Sequence, residues 1–405
     1  MKVLYIHQYF ATRESATGTR SYEFAKLLQE KGHDVTVLTG DSQLEHLTAN
    51  QKKIAATYDL DGITVRAIKN RYENHFGKWR RIWAFLIFLM QACFFKVNKQ
   101  EYDVIFATST PLTIAIPAMF LSWKAKIPFV FEVRDLWPEA PYKLGYLKDG
   151  LLLQSLRRLE KMVYMKASKI VALSPGMAEG ILQQGISKEK VIVIPNSADL
   201  ELFDIEASDA LRTEWGLLDK FVLVHAGSLG VINGLEYLIE TAKLLRDKGQ
   251  HHVRILLTGD GGKRIELEKL CKDYELDNVI FTGKFPKKRI PELLSTADAT
   301  IMSVKDHPVL EMASPNKFFD SLAAGKPTIV NCGGWMKAML EETGAGVYVQ
   351  PKYPSDLVRV IEVLSHATPL VAELGKNARR LAEDRFDRKK LVNQLELALE
   401  QSIRK

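Results

Sequence analysis

Cysteine is scarce in this chain. The three cysteines, Cys93, Cys271 and Cys332, lie far apart in 405 residues. An odd number at such wide spacing argues against a disulfide framework and against a zinc site. A reducing, cytoplasmic setting is therefore expected.

Long hydrophobic runs are also missing. The apolar run within residues 1–7 is too short for a signal peptide and is typical of a first strand. The longest uncharged apolar run, residues 82–90 and their continuation, is too short to cross a bilayer about 30 Å thick. Apart from two α/β halves, the sequence has no repeat and no low-complexity tract.

What is present is typical of a globular protein. With 46% hydrophobic and 26% charged residues, a chain of this length is expected to form two domains. Much of the net charge of +7 lies between Arg71 and Lys99, where six cations face one acidic residue. This segment also holds the apolar run and two tryptophans, which favours a helix in a membrane interface. A helix buried against a sheet fits equally well, and the two readings are compatible. Because the charge is local and interleaved with apolar residues, nucleic-acid binding is not expected.

Alternating strand and helix patterns predict an α/β fold. Residues 2–6 and 35–39 read as strands around a helix at 20–31, and a second series begins at the strand 221–226. Ligands bind at the carboxyl ends of strands in such sheets. We therefore expect the loop that ends in Gly18, Thr19 and Arg20 to lie near the chemistry.

A second group of polar residues lies at the end of a strand, within the strand and loop at 128–139. Its members are Glu132, Arg134, Asp135 and Glu139, and Ser109 follows the preceding strand. Their crowding at a strand exit predicts a site, although an Arg–carboxylate cluster that only fixes the loop is the alternative. An Asp59–Asp61 pair before another strand is typical of a turn rather than a metal site.

The segment 313–334 predicts a helix followed by a strand. Pro315 suits the first helical turn, and Ser314 can cap it. Gly325 ends the helix, and residues 328–330 have the apolar character of a buried parallel strand.

Lys317 and Asp320 share one face of this helix. The N–H groups at a helix start, with an ammonium beside them, favour phosphate, and a carboxylate one turn later suits two sugar hydroxyls. The pair indicates a nucleotide-sugar site in outline, although many ordinary helices also carry one lysine and one aspartate.

A glycine-rich loop supports the same reading. Gly227 and Gly230 follow the strand 221–226 and precede a helix that starts near Asn233. Strand, Gly-x-x-Gly and helix together form a phosphate site from backbone N–H groups.

The order Pro-x-Lys-x-x-Asp-x-x-Ala-x-Gly-Lys-Pro, from Pro315 to Pro327, resembles the donor-site helix of family-four retaining glycosyltransferases. The resemblance implies a GT-B fold, with two Rossmann-like domains facing across a cleft. It assigns the ribose of the donor nucleotide to Asp320, where the family usually has Glu. The family's other Glu position is Met312 here, with Glu311 beside it, and the run Pro315-Asn316-Lys317 points to a subgroup.

The resemblance also directs attention to the diphosphate. Most relatives carry an Arg at the position of Ser228 and a Lys at that of Asn233. Since both are missing, Lys317 is our candidate cation, assisted by Lys263 or Arg264, and Phe285 is a candidate wall for the base.

The run Arg134-Asp-Leu-Trp-Pro-Glu139 resembles the transferases that add amino sugars of the N-acetylfucosamine type during capsule or O-antigen assembly. The resemblance implies that Arg134 and Asp135 face the acceptor and the reacting carbon. It predicts a nucleotide-sugar donor, UDP-linked by preference, a lipid-linked saccharide acceptor, and no metal or cofactor. Residues 71–99 would contact the inner face of the cytoplasmic membrane.

The predicted domains are an acceptor-binding domain at 1–198, on which the helix at about 388–405 packs, and a donor-binding domain at 199–387. Two alternatives stay open. A UDP-sugar 2-epimerase shares the fold, and a non-catalytic sugar-nucleotide-binding or periplasmic sugar-binding protein would bind without turnover.

Overall fold

A computed structural model of the chain describes residues 1–44, 51–52, 55–69, 78–205 and 208–404, with the backbone alone for residues 51, 52, 55 and 78–82. The chain divides into two compact units. The first contains Met1–Pro195 and Lys389–Lys405, and the second contains Asn196–Arg388.

The first unit is built on a nine-stranded sheet. Its strand order is β3-β4-β5-β2-β1-β6-β7-β8-β9, and all neighbours are parallel except in the β3-β4-β5 meander at one edge. The strands are β1 (Lys2–Ile6), β2 (Asp34–Gly40), β3 (Gln51–Lys52), β4 (Ala55–Leu60), β5 (Ile63–Ile68), β6 (Val104–Thr108), β7 (Phe129–Val133), β8 (Lys169–Ala172) and β9 (Val191–Val193).

The helices of this unit lie on both faces of its sheet. They are α1 (Arg20–Glu30), α2 (Lys78–Cys93), α3 (Ala115–Ala125), α4 (Glu139–Lys143), α5 (Leu151–Lys166) and α6 (Pro175–Leu182). Since β6, β7 and β8 follow one another in one direction across the sheet, right-handed crossovers place α2, α3 and α5 on the same face. The helix α3 indeed packs beside both α2 and α5, and α1, whose crossover runs the other way, belongs to the opposite face.

The second unit has a six-stranded parallel sheet of order β12-β11-β10-β13-β14-β15. Its strands are β10 (Phe221–Ala226), β11 (Val253–Thr258), β12 (Val279–Gly283), β13 (Ala299–Met302), β14 (Thr328–Val330) and β15 (Gly346–Tyr348). Its helices are α7 (Ala210–Glu214), α8 (Glu236–Asp247), α9 (Arg264–Asp273), α10 (Ile290–Ser295), α11 (Asn316–Ala323), α12 (Gly334–Thr343), α13 (Pro354–His366) and α14 (Thr368–Leu381).

The last helix, α15 (Arg388–Ile403), belongs almost entirely to the first unit. Val392, Leu395 and Leu399 are buried in the same core as Phe24 and Leu28 of α1. The apolar spacing of this helix thus buries one face against the first sheet.

The predicted fold class is confirmed. The predicted strands at 2–6, 35–39, 221–226 and 328–330 are present, because each is an apolar run that is buried on both faces of a parallel sheet.

Candidate functional site

Lys317 lies at the carboxyl end of the second sheet. Its Nζ donates a hydrogen bond of 2.5 Å to Oδ1 of Asn233 and lies 3.5 Å from Nε2 of His225. A Cβ at Gly227 would stand 3.1 Å from the Lys317 Cε, so a glycine gives this side chain room. Burial lowers the pKa of Lys317 to about 7.

His225 was missed by the sequence analysis. It is the fifth residue of β10 and is fully buried, and burial, with the Lys317 charge, lowers its pKa well below the usual range. The imidazole is therefore neutral and can accept from the ammonium. Its place near a strand end was the available signal.

Backbone contacts fix the glycine-rich loop. The Gly227 N–H donates to the Thr258 carbonyl at 2.9 Å, and the Asn233 Nδ2 donates to the Ser228 carbonyl at 2.8 Å. Gly230 lies against this turn, since a Cβ there would stand 3.2 Å from the Ser228 Oγ. The side-chain amide of Asn233 therefore links the loop to the Lys317 ammonium.

The start of α11 differs from the prediction by one residue. Pro315 precedes the first helical residue, Asn316, and has extended backbone angles. The prediction that Ser314 caps the helix is wrong, because its hydroxyl accepts the backbone N–H of Asn196 instead, at 3.2 Å. The helix start beside Lys317 thus has no side-chain cap.

Asp320 has a partner that the sequence analysis did not name. Lys287 donates to the Asp320 Oδ1 at 2.5 Å, and both side chains are nearly buried. The two residues lie 33 positions apart, on different elements, so no local pattern indicated the contact.

The other cationic and aromatic candidates in this unit already have neighbours. Lys263 lies 2.6 Å from Glu266 and 3.2 Å from Glu236. The remaining contacts are Arg264 with Glu268 at 2.8 Å, and Phe285 with Trp215 and with Arg289 at centroid distances of 6.2 and 5.0 Å.

Glu311 lies against the glycine pair that follows β14. A Cβ on Gly333 would stand 2.8 Å from the Glu311 Oε1, and one on Gly334 would stand 2.8 Å from the Glu311 carbonyl oxygen. Gly333 therefore leaves room for the Glu311 carboxylate, and Gly334 leaves room for the Glu311 backbone. Burial raises the pKa of the neighbouring Cys332 to about 12, and the Glu311 charge adds to this effect.

In the first unit, Arg20 and Glu132 form a buried ion pair. The Arg20 guanidinium donates to Glu132 Oε1 at 2.8 and 2.9 Å, and also to the carbonyls of Ile194 and Pro195. The second oxygen of Glu132 accepts from Thr108 at 2.6 Å. Their side chains are almost inaccessible to solvent, and they contact each other.

Arg134 and Asp135 lie just beyond β7. The Arg134 N–H donates to Ser109 Oγ at 2.9 Å, and its guanidinium lies 3.4 Å from His7 Nε2. Asp135 accepts from the Thr110 hydroxyl at 3.1 Å, and desolvation raises the pKa of its carboxyl. These contacts bring the ends of β1, β6 and β7 together.

His7 is a further residue that sequence reasoning missed. It is buried, its pKa is lowered well below the usual range by burial and by Arg134, and its Nδ1 has no hydrogen-bond partner. Its position directly after β1 was the available signal.

The other acceptor-side candidates are less closely associated. Glu139 pairs with Arg157 of α5 at 2.6 Å. Thr19 is buried immediately before α1, with Gly18 half-buried before it. The Asp59–Asp61 segment forms the predicted turn, in which Asp59 accepts the Gly62 N–H at 3.2 Å. In the described part of the chain, no three His, Cys, Asp or Glu side chains group closely enough to hold a metal ion.

The helix α2 exposes one apolar face and buries another. Ala84, Phe88 and Ala92 are buried. The residues on its exposed side are Trp83, Leu86 and Met90, followed by Phe94 just beyond the helix. Residues 71–77 of the predicted membrane segment lie outside the described residues. Within the described ranges, no helix combines the length and the apolar character needed to traverse a bilayer.

Two family models match successive parts of the chain. The glycosyl transferase 4-like domain matches residues 15–197, and the model of glycosyl transferases group 1 matches residues 208–381.

Curated relatives are similar over much of their length. The putative colanic acid biosynthesis glycosyl transferase WcaI of Escherichia coli K12 is 24% identical over 97% of this chain and 98% of its own. The probable glycosyltransferase WbjE of Pseudomonas aeruginosa is 24% identical over 68% of this chain and 70% of its own.

Among solved structures, Anabaena HepE in complex with UDP and glucose has a TM-score of 0.72 and 21% identity, over 99% of this chain and 100% of its own. This likeness concerns the fold. The structural likeness shows that the fold of this chain is GT-B. The two family matches together show that the chain belongs to the glycosyltransferases that join a 4-like domain to a group 1 domain.

Proposed function

We propose that this glycosyltransferase moves an N-acetylated amino sugar from a UDP-linked donor to a lipid-linked saccharide acceptor, with retention of anomeric configuration. The product would belong to a surface polysaccharide such as a capsule or O-antigen. The observation that carries the proposal is the Lys317 ammonium, which is held 2.5 Å from Asn233 beside the glycine-rich loop.

The second unit has the parts of a diphosphate site. Gly227 leaves space for Lys317, and the backbone N–H groups at the start of α11 add partial positive charge. Most members of the family that the sequence resembles carry an Arg and a Lys at the positions of Ser228 and Asn233. Here the ammonium of Lys317 reaches position 233 from a different element, and it supplies the charge that Ser228 and Asn233 lack.

Asp320 is the proposed ligand of the ribose hydroxyls. Lys287 already occupies one of its oxygens, so ribose must share that carboxylate with Lys287 or displace it. UDP is the favoured nucleotide, in keeping with the HepE structure, which holds UDP.

In the proposed reaction, the bond between the sugar anomeric carbon and the diphosphate oxygen breaks while the acceptor hydroxyl oxygen bonds to the same face of that carbon. Lys317 and the helix-start N–H groups stabilise the negative charge on the departing UDP, which is preorganised electrostatic catalysis. The acceptor proton passes to a donor phosphate oxygen, or to Asp135. The mechanism assigns no step to a metal or to a cofactor.

On the acceptor side, we propose that Arg134, Asp135 and Ser109 orient the acceptor hydroxyl, and that Gly18, Thr19 and Glu139 line its approach. Arg20 and Glu132 are proposed to act indirectly, without contacting the acceptor, because their buried ion pair fixes the start of α1 to the end of β7. The exposed side of α2 then contacts the inner face of the cytoplasmic membrane, where a lipid-linked acceptor resides.

The test is an assay with UDP-, GDP- and dTDP-sugars and a synthetic polyprenyl-diphosphate sugar, with products read by mass spectrometry. The expected product is the acceptor extended by one acetamido sugar, formed from a UDP donor. A new UDP-sugar without any acceptor would instead indicate a 2-epimerase, and binding without turnover would indicate a non-catalytic protein.

A further inference from the structure

Exposed apolar side chains of the first unit concentrate on three neighbouring helices. They occur on α2, on α3 and on α5, and the same helices share one face of the sheet. The members are Trp83, Leu86, Met90 and Phe94 of α2 and its end, Phe120 and Trp123 of α3, and Leu151, Leu152, Met162 and Met165 of α5. We call this set the three-helix surface.

Each helix turns these residues to one side. On α3, Phe120 and Trp123 are neighbours at a ring-centroid distance of 6.1 Å, and Trp123 is 75% exposed. On α5, Leu151, Met162 and Met165 fall on one side at helical spacing, whereas Val163 and Tyr164 are buried. An apolar area spread over three adjacent helices exceeds what isolated surface hydrophobics explain.

The charges on these helices have one sign. The sequences of α2 and α3 contain no acidic residue. The single acid of α5, Glu160, is buried, and it accepts hydrogen bonds of 2.8 Å from Tyr164 and from Gln184. The exposed cations of α3 and α5 include Lys124, Arg157, Arg158, Lys161 and Lys166, and of these Arg157 pairs with Glu139 of α4.

Basic and apolar residues on one side suit an anionic phospholipid surface. Aromatic and aliphatic groups enter the headgroup region while lysine and arginine attract the anionic lipid. A protein partner would fit this surface only with a face that is both acidic and apolar. An anionic bilayer offers negatively charged headgroups and an apolar interior together.

We propose that the three-helix surface, and not α2 alone, docks the protein on anionic phospholipid bilayers. This inference deepens the proposed function, since a lipid-linked acceptor is reached at such a surface. It extends membrane contact to α3 and α5, which lie outside the segment 71–99 that the sequence singled out.

The test is flotation with phosphatidylcholine vesicles, with and without phosphatidylglycerol. The native chain should float with the anionic vesicles and less so at high salt, because salt screens the attraction. Leu151→Glu should weaken this binding at least about tenfold, since it removes an apolar contact and adds a repelled charge. Trp123→Glu should act in the same way.

A matched control is at hand. Ile265, near the start of α9 in the second unit, is 82% exposed, as is Leu151 at the start of α5. Ile265→Glu should therefore float like the native chain. Replacing Arg158, Lys161 and Lys166 with Gln should weaken binding on the order of 100-fold, since each cation contributes about fivefold, or about 1 kcal/mol.

Three outcomes would overturn the inference. The first is no flotation of the native chain with either vesicle. The second is native-like flotation of both Leu151→Glu and Trp123→Glu. The third is a dimer, seen by light scattering, that Leu151→Glu dissociates, because a second copy would then cover the surface. Turnover of the donor with a water-soluble acceptor is measured for every variant, which separates membrane docking from the proposed function. A variant that keeps this turnover but no longer binds vesicles is folded and supports the docking surface.

Discussion

The position of the Lys317 ammonium allows a charge-relocation experiment. Its Nζ lies 2.5 Å from the Asn233 Oδ1, so a lysine placed at 233 can bring its own ammonium close to the same point. The perturbation is therefore an exchange, Lys317→Asn alone and then together with Asn233→Lys. Lys248→Asn is the control, since Lys248 is a surface lysine of the same unit that pairs with Glu362.

The expected loss follows from the charge removed. A unit charge 4 Å from a phosphate is worth about 4 kcal/mol at an effective dielectric constant of about 20. In other enzymes, removal of one preorganised hydrogen-bond donor raises the activation free energy by about 2.7–4 kcal/mol. At about 1.4 kcal/mol per factor of ten, Lys317→Asn should lower kcat about 100- to 1,000-fold.

The exchanged pair should recover most of this loss, to within about tenfold of the native kcat, because the ammonium returns to the same place on a different backbone. Steady-state kinetics with the donor and acceptor proposed above measures this recovery. Near-native turnover of Lys317→Asn would reject Lys317 as the charge partner of the diphosphate. A double variant no more active than the single one would show that charge at this point is not sufficient.

Three further predictions concern single contacts. At pH 8, UDP binding should be accompanied by proton uptake, because a pKa lowered to about 7 favours neutral Lys317 until the diphosphate raises that pKa. Calorimetry in buffers of different ionisation enthalpy measures this uptake, and equal uptake by Lys317→Met would assign the proton elsewhere. Glu132→Gln should lower the free energy of unfolding by about 3–5 kcal/mol, since the substitution leaves the Arg20 charge buried and unpaired. Denaturant titration measures this loss, and a loss below about 1 kcal/mol would contradict the prediction. Gly259→Ala should weaken UDP binding and lower Tm, because Gly259 has φ +132° and a Cβ there would stand 1.9 Å from the Gly227 carbonyl oxygen. Gly262→Ala is the control, since a Cβ on Gly262 would meet no atom within 4 Å. Equal UDP binding and equal Tm of the two variants would refute the steric argument.

The pKa of Lys317 also sets the sign of a stability effect. The pKa is lowered from 10.5 in the unfolded chain to about 7 in the folded one. Between these values the unfolded state binds more protons, so the contribution of Lys317 to the free energy of unfolding rises with pH. Lys317→Met should flatten this rise in thermal unfolding between pH 7 and 10, and an unchanged slope would contradict the shift.

Sequence patterns predicted the fold well where the signal was local. The buried strands are apolar runs with glycine or proline near their ends, and their hydrophobicity reflects burial on both faces of a parallel sheet. The Asp59 turn was predicted correctly for the same reason, because a side-chain oxygen that binds the N–H three residues on is a local event.

Contacts between distant residues were not predictable in this way. Lys287 with Asp320 and His7 with Arg134 join residues 33 and 127 positions apart. The cap at Ser314 failed because Asn196, from another segment, occupies its hydroxyl. Propensity describes what a side chain can do locally, and tertiary competition decides which partner it takes.

The same competition distinguishes Lys317 from Lys263, one of the two further cations considered for the diphosphate. Lys263 already lies 2.6 Å from Glu266 and 3.2 Å from Glu236, so phosphate would have to replace two carboxylates around it. The polar neighbours of Lys317, Asn233 and His225, carry no charge. A desolvated ammonium beside neutral partners is unfavourable in the free protein, and an entering diphosphate supplies the missing negative charge. Binding of UDP should therefore stabilise the second unit through Lys317, and Lys263→Ala should leave most of that stabilisation in place.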